Sequence, residues 1–350
     1  MSERLPERKV SEGRAALPLT AMLALGGFLA ARALLRARRA YDLRDRVVLI
    51  TGGGRGLGLV LAREFARQGS RVAICARDPD ELERARLDLE GRGATVLSLP
   101  CDVTDRTQVD ALARDVTREW GTIDVLVNNA GVIQVGPLDT LTREDFEDAM
   151  RTHFWGPLNT MLAVLPAMRA RRDGRIVNIS SVGGKISVPH LLSYCASKFA
   201  LTGLSEGFRA ELARENVLVT TVCPGLMRTG SPRNAQFKGK HRAEYAWFSI
   251  ADSTPVLSTS AEHAARRIVD ACRRGDAELI LPLPTKLAVG FNGLFPGLTS
   301  DILSLVNRAL PDADGAGTAR IRGAQSESNA SPSPLTALGD RAAARNNELG

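Results

Sequence analysis

RVVLITGGGRGLG, at residues 46–58, is the stretch that decides the fold class. Its aliphatic run ends at Thr51 and leads directly into a glycine-rich segment, after which apolar residues recur with helical spacing. Taken alone, such a segment is also typical of a tight turn that needs positive φ. A strand before it and a helix after it, however, form the context of a dinucleotide site. The glycines permit close approach of the backbone, and the N-terminus of the helix attracts a pyrophosphate.

Further aliphatic or β-branched runs follow this stretch at intervals that each fit a helix. Alternating strands and helices favour a parallel sheet covered on both faces. We therefore expect an α/β fold, with a single doubly wound Rossmann-type domain over 40–283 and a seven-stranded parallel sheet. In such sheets, ligands bind beyond the carboxyl ends of the strands. The predicted strands are 46–51, 71–76, 95–100, 123–128, 175–180, 218–223 and 278–281.

Three motifs, in this order, resemble those of the short-chain dehydrogenase/reductase family. They are the TGxxxGxG spacing at 51–58, Asn128-Asn129-Ala130-Gly131 after the fourth predicted strand, and Tyr194-x-x-x-Lys198. The resemblance covers roughly residues 44–283 and implies an oxidoreductase that acts on CH–OH groups with a nicotinamide cofactor. It assigns to the cofactor Gly52, Gly56, Leu57, Gly58, Asp102, Val103, Asn128, Tyr194, Lys198, Pro224, Gly225 and Thr229.

Tyr194 and Lys198 lie four residues apart in a helix predicted over 192–215, so both side chains project from one face. Because a neighbouring ammonium stabilises a phenolate, we expect Lys198 to lower the pKa of Tyr194 from its ordinary value of about 10. Tyr194 would then be the general acid in reduction and the general base in oxidation. Ser181 stands 13 residues before Tyr194, which is the family's spacing for the serine that orients the substrate. Its neighbour Ser180 points to the opposite face of the strand, so the predicted catalytic residues are Ser181, Tyr194 and Lys198.

The choice of cofactor depends on the residues that follow the second predicted strand. An acidic residue there binds the ribose hydroxyls of NAD, whereas this chain has Arg77 there and Arg55 within the glycine-rich segment. Two guanidinium groups can hold a 2′-phosphate through charge-assisted hydrogen bonds. Asp78 follows Arg77 and could instead cap the next helix or favour NAD. We expect NADP(H), bound in part by Arg55 and Arg77.

One position departs from the family pattern. The family carries an asparagine in an NxxG motif after the fourth strand, and the resemblance implies that it relays protons through water to the lysine. Here the segment reads His153-Phe154-Trp155-Gly156. A histidine can donate and accept protons near neutral pH, but it is bulkier and could simply pack in the core. His153 is therefore not part of the predicted catalytic set.

The N-terminal 46 residues combine positive charge with an apolar run. They hold ten Arg or Lys against five Asp or Glu, in a chain whose formal net charge is +7. After a basic segment at 1–14, the uncharged run Ala15–Ala31 would span about 26 Å as a helix, slightly short of a bilayer core. Three interpretations stay open: a transmembrane or monotopic anchor at 15–35, a signal peptide cleaved near Ala30–Ala33, and an apolar helix packed on the domain.

The arginines that follow this run favour the anchor. By the positive-inside tendency they would hold everything downstream in the cytoplasm, where a nicotinamide cofactor is available. We therefore expect a membrane-associated protein whose catalytic domain is cytoplasmic and whose membrane contact is made through 15–35. The sparse aromatics and nearly balanced charge of the remaining chain speak against a nucleic-acid partner. Five cysteines without a CxxC pair fit neither a disulfide framework nor a metal site, so we expect no metal.

The C-terminal third shows three further segments. Residues 226–260 are expected to form a substrate loop over the cofactor. Residues 284–310 form an apolar extension that could close the core, contact a second subunit, face a membrane or cover the substrate. Residues 311–350 have the composition of a disordered tail.

The two apolar segments favour a lipophilic alcohol, ketone or aldehyde as the substrate. A soluble 3-oxoacyl thioester reductase and a non-catalytic NADPH-binding sensor or scaffold are the alternatives. A homo-oligomer is expected from the resemblance alone.

Overall fold

A computed structural model describes residues 26–27, 30–31, 33–34, 36–37, 39–313 and 317–349. The chain divides into two compact units, Met1–Ala40 and Tyr41–Gly350. In the first unit, the described positions between 26 and 37 are helical. The predicted basic segment 1–14 and most of the predicted anchor 15–35 lie outside the described residues. Within the described part of the chain, no helix has the length and apolar character needed to cross a membrane.

The second unit is built on a seven-stranded sheet in which every neighbouring pair is parallel. The strand order is β7-β6-β5-β4-β1-β2-β3, so the sheet grows outward in both directions from β1 and β4. This confirms the predicted doubly wound α/β fold. The strands are β1 (Val47–Thr51), β2 (Arg71–Ala76), β3 (Val96–Pro100), β4 (Val125–Asn128), β5 (Gly174–Ile179), β6 (Val217–Pro224) and β7 (Glu278–Leu281).

Eleven α-helices complete the described part of this unit. They are α1 (Gly56–Arg67), α2 (Pro79–Glu90), α3 (Arg106–Trp120), α4 (Arg143–Met150), α5 (Gly156–Arg171), α6 (Leu192–Leu212), α7 (His241–Ser253), α8 (Ala261–Arg274), α9 (Leu283–Leu294), α10 (Pro296–Asn307) and α11 (Ala337–Arg345). A single π-helical turn, Arg151–Trp155, joins α4 to α5.

Alternation along the strands produces two cores, one on each face of the sheet. Val48 and Ile50 of β1 pack with apolar residues of α1, α2 and α8. Val47 and Leu49 point the other way and pack with residues of α3, α5 and α6. Because strand side chains alternate with a period of two, a wholly aliphatic strand can serve both cores. All four residues are buried, as the run at 46–51 predicts.

The predicted substrate loop 226–260 folds over the carboxyl edge of this sheet as a small layer of its own. Short strands Gln134–Val135, Gln236–Phe237 and Ile321–Arg322 form a three-stranded sheet. Phe237 packs edge-to-face on Tyr245 of α7, with 5.4 Å between ring centroids. This layer draws together segments that are far apart in sequence.

The C-terminal tail differs from its sequence-based expectation. In place of a disordered segment at 311–350, the described residues 317–349 contain the strand Ile321–Arg322 and helix α11. Ala342 and Ala343 are buried. The tail has few large apolar residues, and it is held mainly by hydrogen bonds and ion pairs with the domain, which composition does not reveal.

The predicted apolar extension at 284–310 forms helices α9 and α10. Between them they bury one residue, Thr285. Large apolar side chains are exposed along both helices: Leu283, Leu287, Phe291, Leu294, Phe295, Leu298, Ile302, Leu305 and Val306.

Candidate active site

The glycine-rich turn between β1 and α1 is shaped by contacts that exclude a Cβ atom. Gly52 has φ +62° and Gly56 has φ +54°, a region that favours glycine. A Cβ on Gly58 would lie 2.0 Å from the carbonyl oxygen of Gly52, and one on Gly52 would lie 2.8 Å from the Cα of Ala130. Leu57 between them is buried. The turn thus keeps backbone, not side chain, at the N-terminus of α1, which fits a dinucleotide pyrophosphate.

Two residues that the sequence analysis did not assign hold this turn in place. The Thr51 hydroxyl accepts hydrogen bonds from the backbone N–H groups of Asn129 and Ala130, at 3.0 and 3.1 Å. The Asn129 amide donates to the carbonyl oxygens of Thr51 and Gly52, each at 3.1 Å. Both residues stand within the quoted motifs at 51–58 and 128–131, and that position was the signal in the sequence that could have identified them. The end of β4 therefore positions the turn after β1.

Ser181, Tyr194 and Lys198 meet beyond the carboxyl end of β5, as predicted. Ser181 lies two residues beyond the end of this strand, near enough to Tyr194 for its hydroxyl to lower the pKa of the phenol. It also accepts a hydrogen bond from the N–H of Gly183 at 3.0 Å. One turn along α6, the Lys198 ammonium donates to the carbonyl oxygen of Ile179 at 2.8 Å and lies 5.7 Å from the Tyr194 ring centroid. Ser180 points away and bonds to Thr202 of α6.

The electrostatics of this group differ from the expected acidification of the phenol. Burial raises the pKa of Tyr194 to about 12, although the hydrogen bond from Ser181 opposes this shift. Burial also lowers the pKa of Lys198 to about 7. Both pKa shifts have the same cause, because burial disfavours the charged form of each group. In the ligand-free protein, the expectation that Lys198 lowers the pKa of Tyr194 is therefore wrong.

The residues assigned to the cofactor's adenosine end lie along the ends of β2, β3 and β4. Arg77 is exposed just after β2, and Asp78 accepts hydrogen bonds from the N–H groups of Asp80 and Glu81, which caps α2. Capping was one of the two roles left open for Asp78. Arg55 pairs with Glu81 at 3.0 Å.

Asp102 and Val103 follow β3, where the Asp102 carboxylate accepts from the N–H of Thr104 at 2.9 Å. Asn128 is buried, and its amide bonds to Asn178 and Thr160, joining β4 to β5 and α5. Its side chain thus has a structural role within the sheet.

Pro224 is the last residue of β6, and Gly225 and Thr229 follow it on the same edge of the sheet. The N–H of Gly225 donates to Leu281 of β7 at 2.7 Å, and a Cβ there would lie 2.1 Å from the Thr285 hydroxyl. Thr229 is buried, with its hydroxyl 2.6 Å from that of Ser231. These residues carry the chain from the central sheet into the 226–260 layer.

The short chain dehydrogenase family matches residues 46–238. The chain belongs to the short-chain dehydrogenase family. It is 35% identical to a dehydrogenase/reductase SDR family protein 7-like of Anopheles gambiae, over 75% of this chain and 83% of the relative. Solved structures similar to this one include an actinorhodin polyketide ketoreductase with NADPH, at 31% identity and TM-score 0.61, covering 68% of this chain and 95% of that one. A short-chain dehydrogenase/reductase of Burkholderia phymatum in complex with NAD is 25% identical, with TM-score 0.68, covering 74% and 96%.

His153 is the position at which this short-chain dehydrogenase departs from the family pattern. Its Nε2 accepts the N–H of Val132 at 3.1 Å, so Nδ1 carries the proton and donates to the Ser197 hydroxyl at 2.7 Å. Ser197 in turn donates to the carbonyl oxygen of Tyr194. Burial, together with the charge of Lys198, holds the pKa of His153 well below its usual range. Both ring nitrogens are thus occupied, and the histidine packs as a neutral group.

The contacts of His153 also reach Tyr194. Its ring meets that of Tyr194 edge-to-face at 5.4 Å. His153 lies in the π-helical turn Arg151–Trp155, and such turns are frequent at functional sites. The structure thus supports the packing alternative that the sequence left open.

Proposed function

We propose that this short-chain dehydrogenase transfers a hydride between NADP(H) and a lipophilic alcohol, ketone or aldehyde. The observation that carries the proposal is that Ser181, Tyr194 and Lys198 lie together at the sheet edge that also bears the glycine turn, with the Lys198 ammonium 5.7 Å from the Tyr194 ring centroid. Each residue type is common on protein surfaces, but the three converge on one buried point. That convergence is what acid–base chemistry on a carbonyl oxygen requires.

The roles of the side chains follow from their protonation. Bound NADPH would supply the hydride. With a pKa of about 12, Tyr194 keeps its proton at neutral pH and can give it to a substrate oxygen as general acid. Ser181 can hold the same oxygen by a hydrogen bond and stabilise negative charge that develops there. Lys198 is near its pKa at neutral pH and can replace a proton lost by the phenol. This protonation pattern suits the donation of a proton to a carbonyl oxygen.

The preference for NADP(H) rests on Arg55 and Arg77. The residue directly after β2 is Arg77, not the carboxylate that would select the ribose hydroxyls of NAD. The next residue, Asp78, has a carboxylate, but it caps helix α2. Arg55 lies in the glycine turn and Arg77 at the end of β2. Two guanidinium groups at these positions favour a 2′-phosphate.

The proposals of a lipophilic substrate and of a membrane contact rest on exposed apolar side chains. Helices α9 and α10 expose eight large apolar side chains, Phe295 between them exposes a ninth, and Lys286 and Asp301 are the only charged residues of the two helices. Soluble monomers rarely expose contiguous apolar patches of this kind. We propose that this pair of helices, together with segment 15–35, contacts a membrane from the cytoplasmic side. A homo-oligomer and the absence of a nucleic-acid partner remain part of the proposal.

The experiment follows NADPH absorbance with detergent-solubilised protein and a panel of carbonyl substrates. Long-chain or polycyclic ketones and aldehydes should be reduced faster than small polar ketones, and NADPH should bind more tightly than NADH. Acyl-thioester ketones belong in the panel because a polyketide ketoreductase is among the similar structures. Equal affinities for the two cofactors would contradict the NADP preference, and faster reduction of polar ketones would contradict the lipophilic substrate.

The Tyr194→Phe variant tests the chemistry itself. It removes the hydroxyl that donates the proton but keeps the ring and its packing, so turnover should fall at least about a thousandfold, within the range for loss of acid–base catalysis. NADPH binding, measured by fluorescence titration, should stay within about twofold. Substantial turnover by this variant would show that another group carries the proton.

A further inference from the structure

The end of the C-terminal tail lies on the glycine turn. Beyond α11, the carbonyl oxygen of Asn346 accepts a hydrogen bond from the N–H of Gly56, the first residue of α1, at 2.8 Å. The Asn347 amide donates to the carbonyl oxygens of Gly54 and Glu81, at 2.8 and 3.1 Å. Three consecutive tail residues, Asn346 to Glu348, thus contact the turn that the family uses for its cofactor.

Glu348 brings a carboxylate to the same place. It is 5% exposed, and one of its oxygens lies 3.0 Å from the Arg55 guanidinium. The Asn234 amide donates to that oxygen, and the Ser231 hydroxyl donates to the other at 3.4 Å. A Cβ on Gly56 would lie 2.5 Å from the carboxylate. The side chain therefore lies directly over the N-terminus of α1.

This arrangement resembles the recognition of an anionic ligand. A helix N-terminus attracts negative charge because its first N–H groups have no partner within the helix. Here a tail carbonyl takes the Gly56 N–H, and a tail carboxylate supplies the charge opposite Arg55. A dinucleotide pyrophosphate would need the same backbone surface. The tail and the cofactor cannot occupy it together.

The tail also contacts the 226–260 layer. The Asn346 amide donates to the carbonyl oxygen of Thr229 at 3.3 Å, and a Cβ on Gly230 would lie 2.4 Å from the Cα of Ala343. The Ser253 hydroxyl of α7 donates to the carbonyl oxygen of Thr336 at 3.4 Å. One segment thus joins the glycine turn to the layer expected to cover the substrate.

We propose that segment 336–349 is an intramolecular competitor of the dinucleotide, which must leave the glycine turn before the cofactor binds. The proposal rests on the proposed function only in requiring that the turn binds a nicotinamide dinucleotide. Its contacts suit reversible release, because they are mostly hydrogen bonds that water can replace, and Ala342 and Ala343 are small. A competing closed state lowers the apparent affinity for a ligand by the fraction of molecules that are open.

Two variants and one control test the competition by their affinity for NADPH. A chain ending at Arg345 lacks the residues on the turn but keeps α11, and Glu348→Ala removes only the carboxylate. Glu348→Ala should bind NADPH about tenfold more tightly, which corresponds to losing one charge-assisted hydrogen bond from the closed state. The chain ending at Arg345, which also loses the contacts of Asn346 and Asn347, should bind NADPH at least as tightly as Glu348→Ala. The control is Glu327→Ala, which removes a tail carboxylate that pairs with Arg233 away from the turn. Its affinity should equal that of the wild type.

Limited trypsin digestion provides a second measurement that does not involve turnover. Arg341 and Arg345 lie in α11, so cleavage after either residue reports release of the tail. Saturating NADPH should accelerate these two cleavages in the wild type while it slows cleavage elsewhere, since ligands protect the structure that they bind. Protection of the two arginines by NADPH would overturn the proposal, because the tail would then close over the bound cofactor.

The remaining outcomes are also distinct. If the chain ending at Arg345 and Glu348→Ala bind NADPH no more tightly than Glu327→Ala, the competition does not exist, although the proposed function stands. If none of the variants binds NADPH or NADH, the proposed function fails, and the competition fails with it.

Discussion

Lys198 is buried without a carboxylate beside it. We therefore expect the free energy of unfolding of the ligand-free protein to change with pH above neutrality. Burial lowers the pKa of Lys198 to about 7, whereas in the unfolded chain it is about 10.4. Between these values the unfolded state binds a proton that the folded state does not. The free energy of unfolding therefore rises with pH across this window.

The size of the effect follows from the two pKa values. Folding must remove the proton that Lys198 carries in the unfolded chain, which costs about 4 kcal/mol near pH 7.5 and about 1.4 kcal/mol near pH 9.5. Lys198→Met removes this contribution, at the expense of the hydrogen bond to Ile179, which is worth about 1 kcal/mol at any pH. The variant should thus be the more stable protein near pH 7.5, and its advantage should shrink by about 2.5 kcal/mol across the window.

The assay is urea unfolding, followed by circular dichroism, of both proteins without cofactor at the two pH values. Lys185→Met is the matched control. Burial lowers the pKa of Lys185, but hydrogen bonds to Glu206 and Glu278 outweigh it and raise this pKa above its usual value. Lys185 is therefore charged in the folded and unfolded states throughout the window, and its replacement should have a pH-independent effect. A difference between wild type and Lys198→Met that is the same at both pH values would refute the assignment of a neutral buried lysine.

Two further predictions concern the residues around the site. His153→Ala leaves the Val132 N–H and the Ser197 hydroxyl without their partner and opens a cavity beside Tyr194, so the free energy of unfolding at neutral pH should fall by about 3 kcal/mol. Because the folded state keeps this histidine neutral, wild-type stability should decline below about pH 6.5, where the unfolded histidine protonates; a variant with the same decline in urea unfolding would contradict this. Gly58→Ala places a methyl group against the carbonyl oxygen of Gly52, and NADPH affinity by fluorescence titration should fall at least about tenfold. Gly203→Ala on α6, where a Cβ meets open space, should leave the affinity unchanged, and equal effects of the two alanines would exclude the steric explanation.

Local pattern was sufficient for the sheet because its central strands are buried on both faces. In a run such as 47–50 every residue is aliphatic, which is typical of a central strand of a parallel sheet. The proximity of Tyr194 and Lys198 was predictable for a similar reason: they share a helix, and their separation of four residues places them together without information from elsewhere. Ser181 was identified from its spacing in the family that the motifs resemble.

The protonation of the site depended on burial, which spacing does not report. The proximity of an ammonium to a phenol suggested a lowered pKa for Tyr194, whereas desolvation of both groups acts in the opposite direction. His153 is a similar case. Its two nitrogens are occupied by Val132 and Ser197 from separate segments, so the choice between relay and packing required the folded arrangement.

By itself the sequence determined the order of strands and helices and the glycine turn, since each depends on interactions within a short segment or on a periodic pattern. Only the tertiary structure brought Glu348 to Arg55, across 293 residues of chain. A polar tail of small residues carries no apolar period from which docking could be predicted. Its position is decided by complementarity between a carboxylate, a guanidinium and a helix N-terminus, and these groups meet only when the rest of the chain has folded.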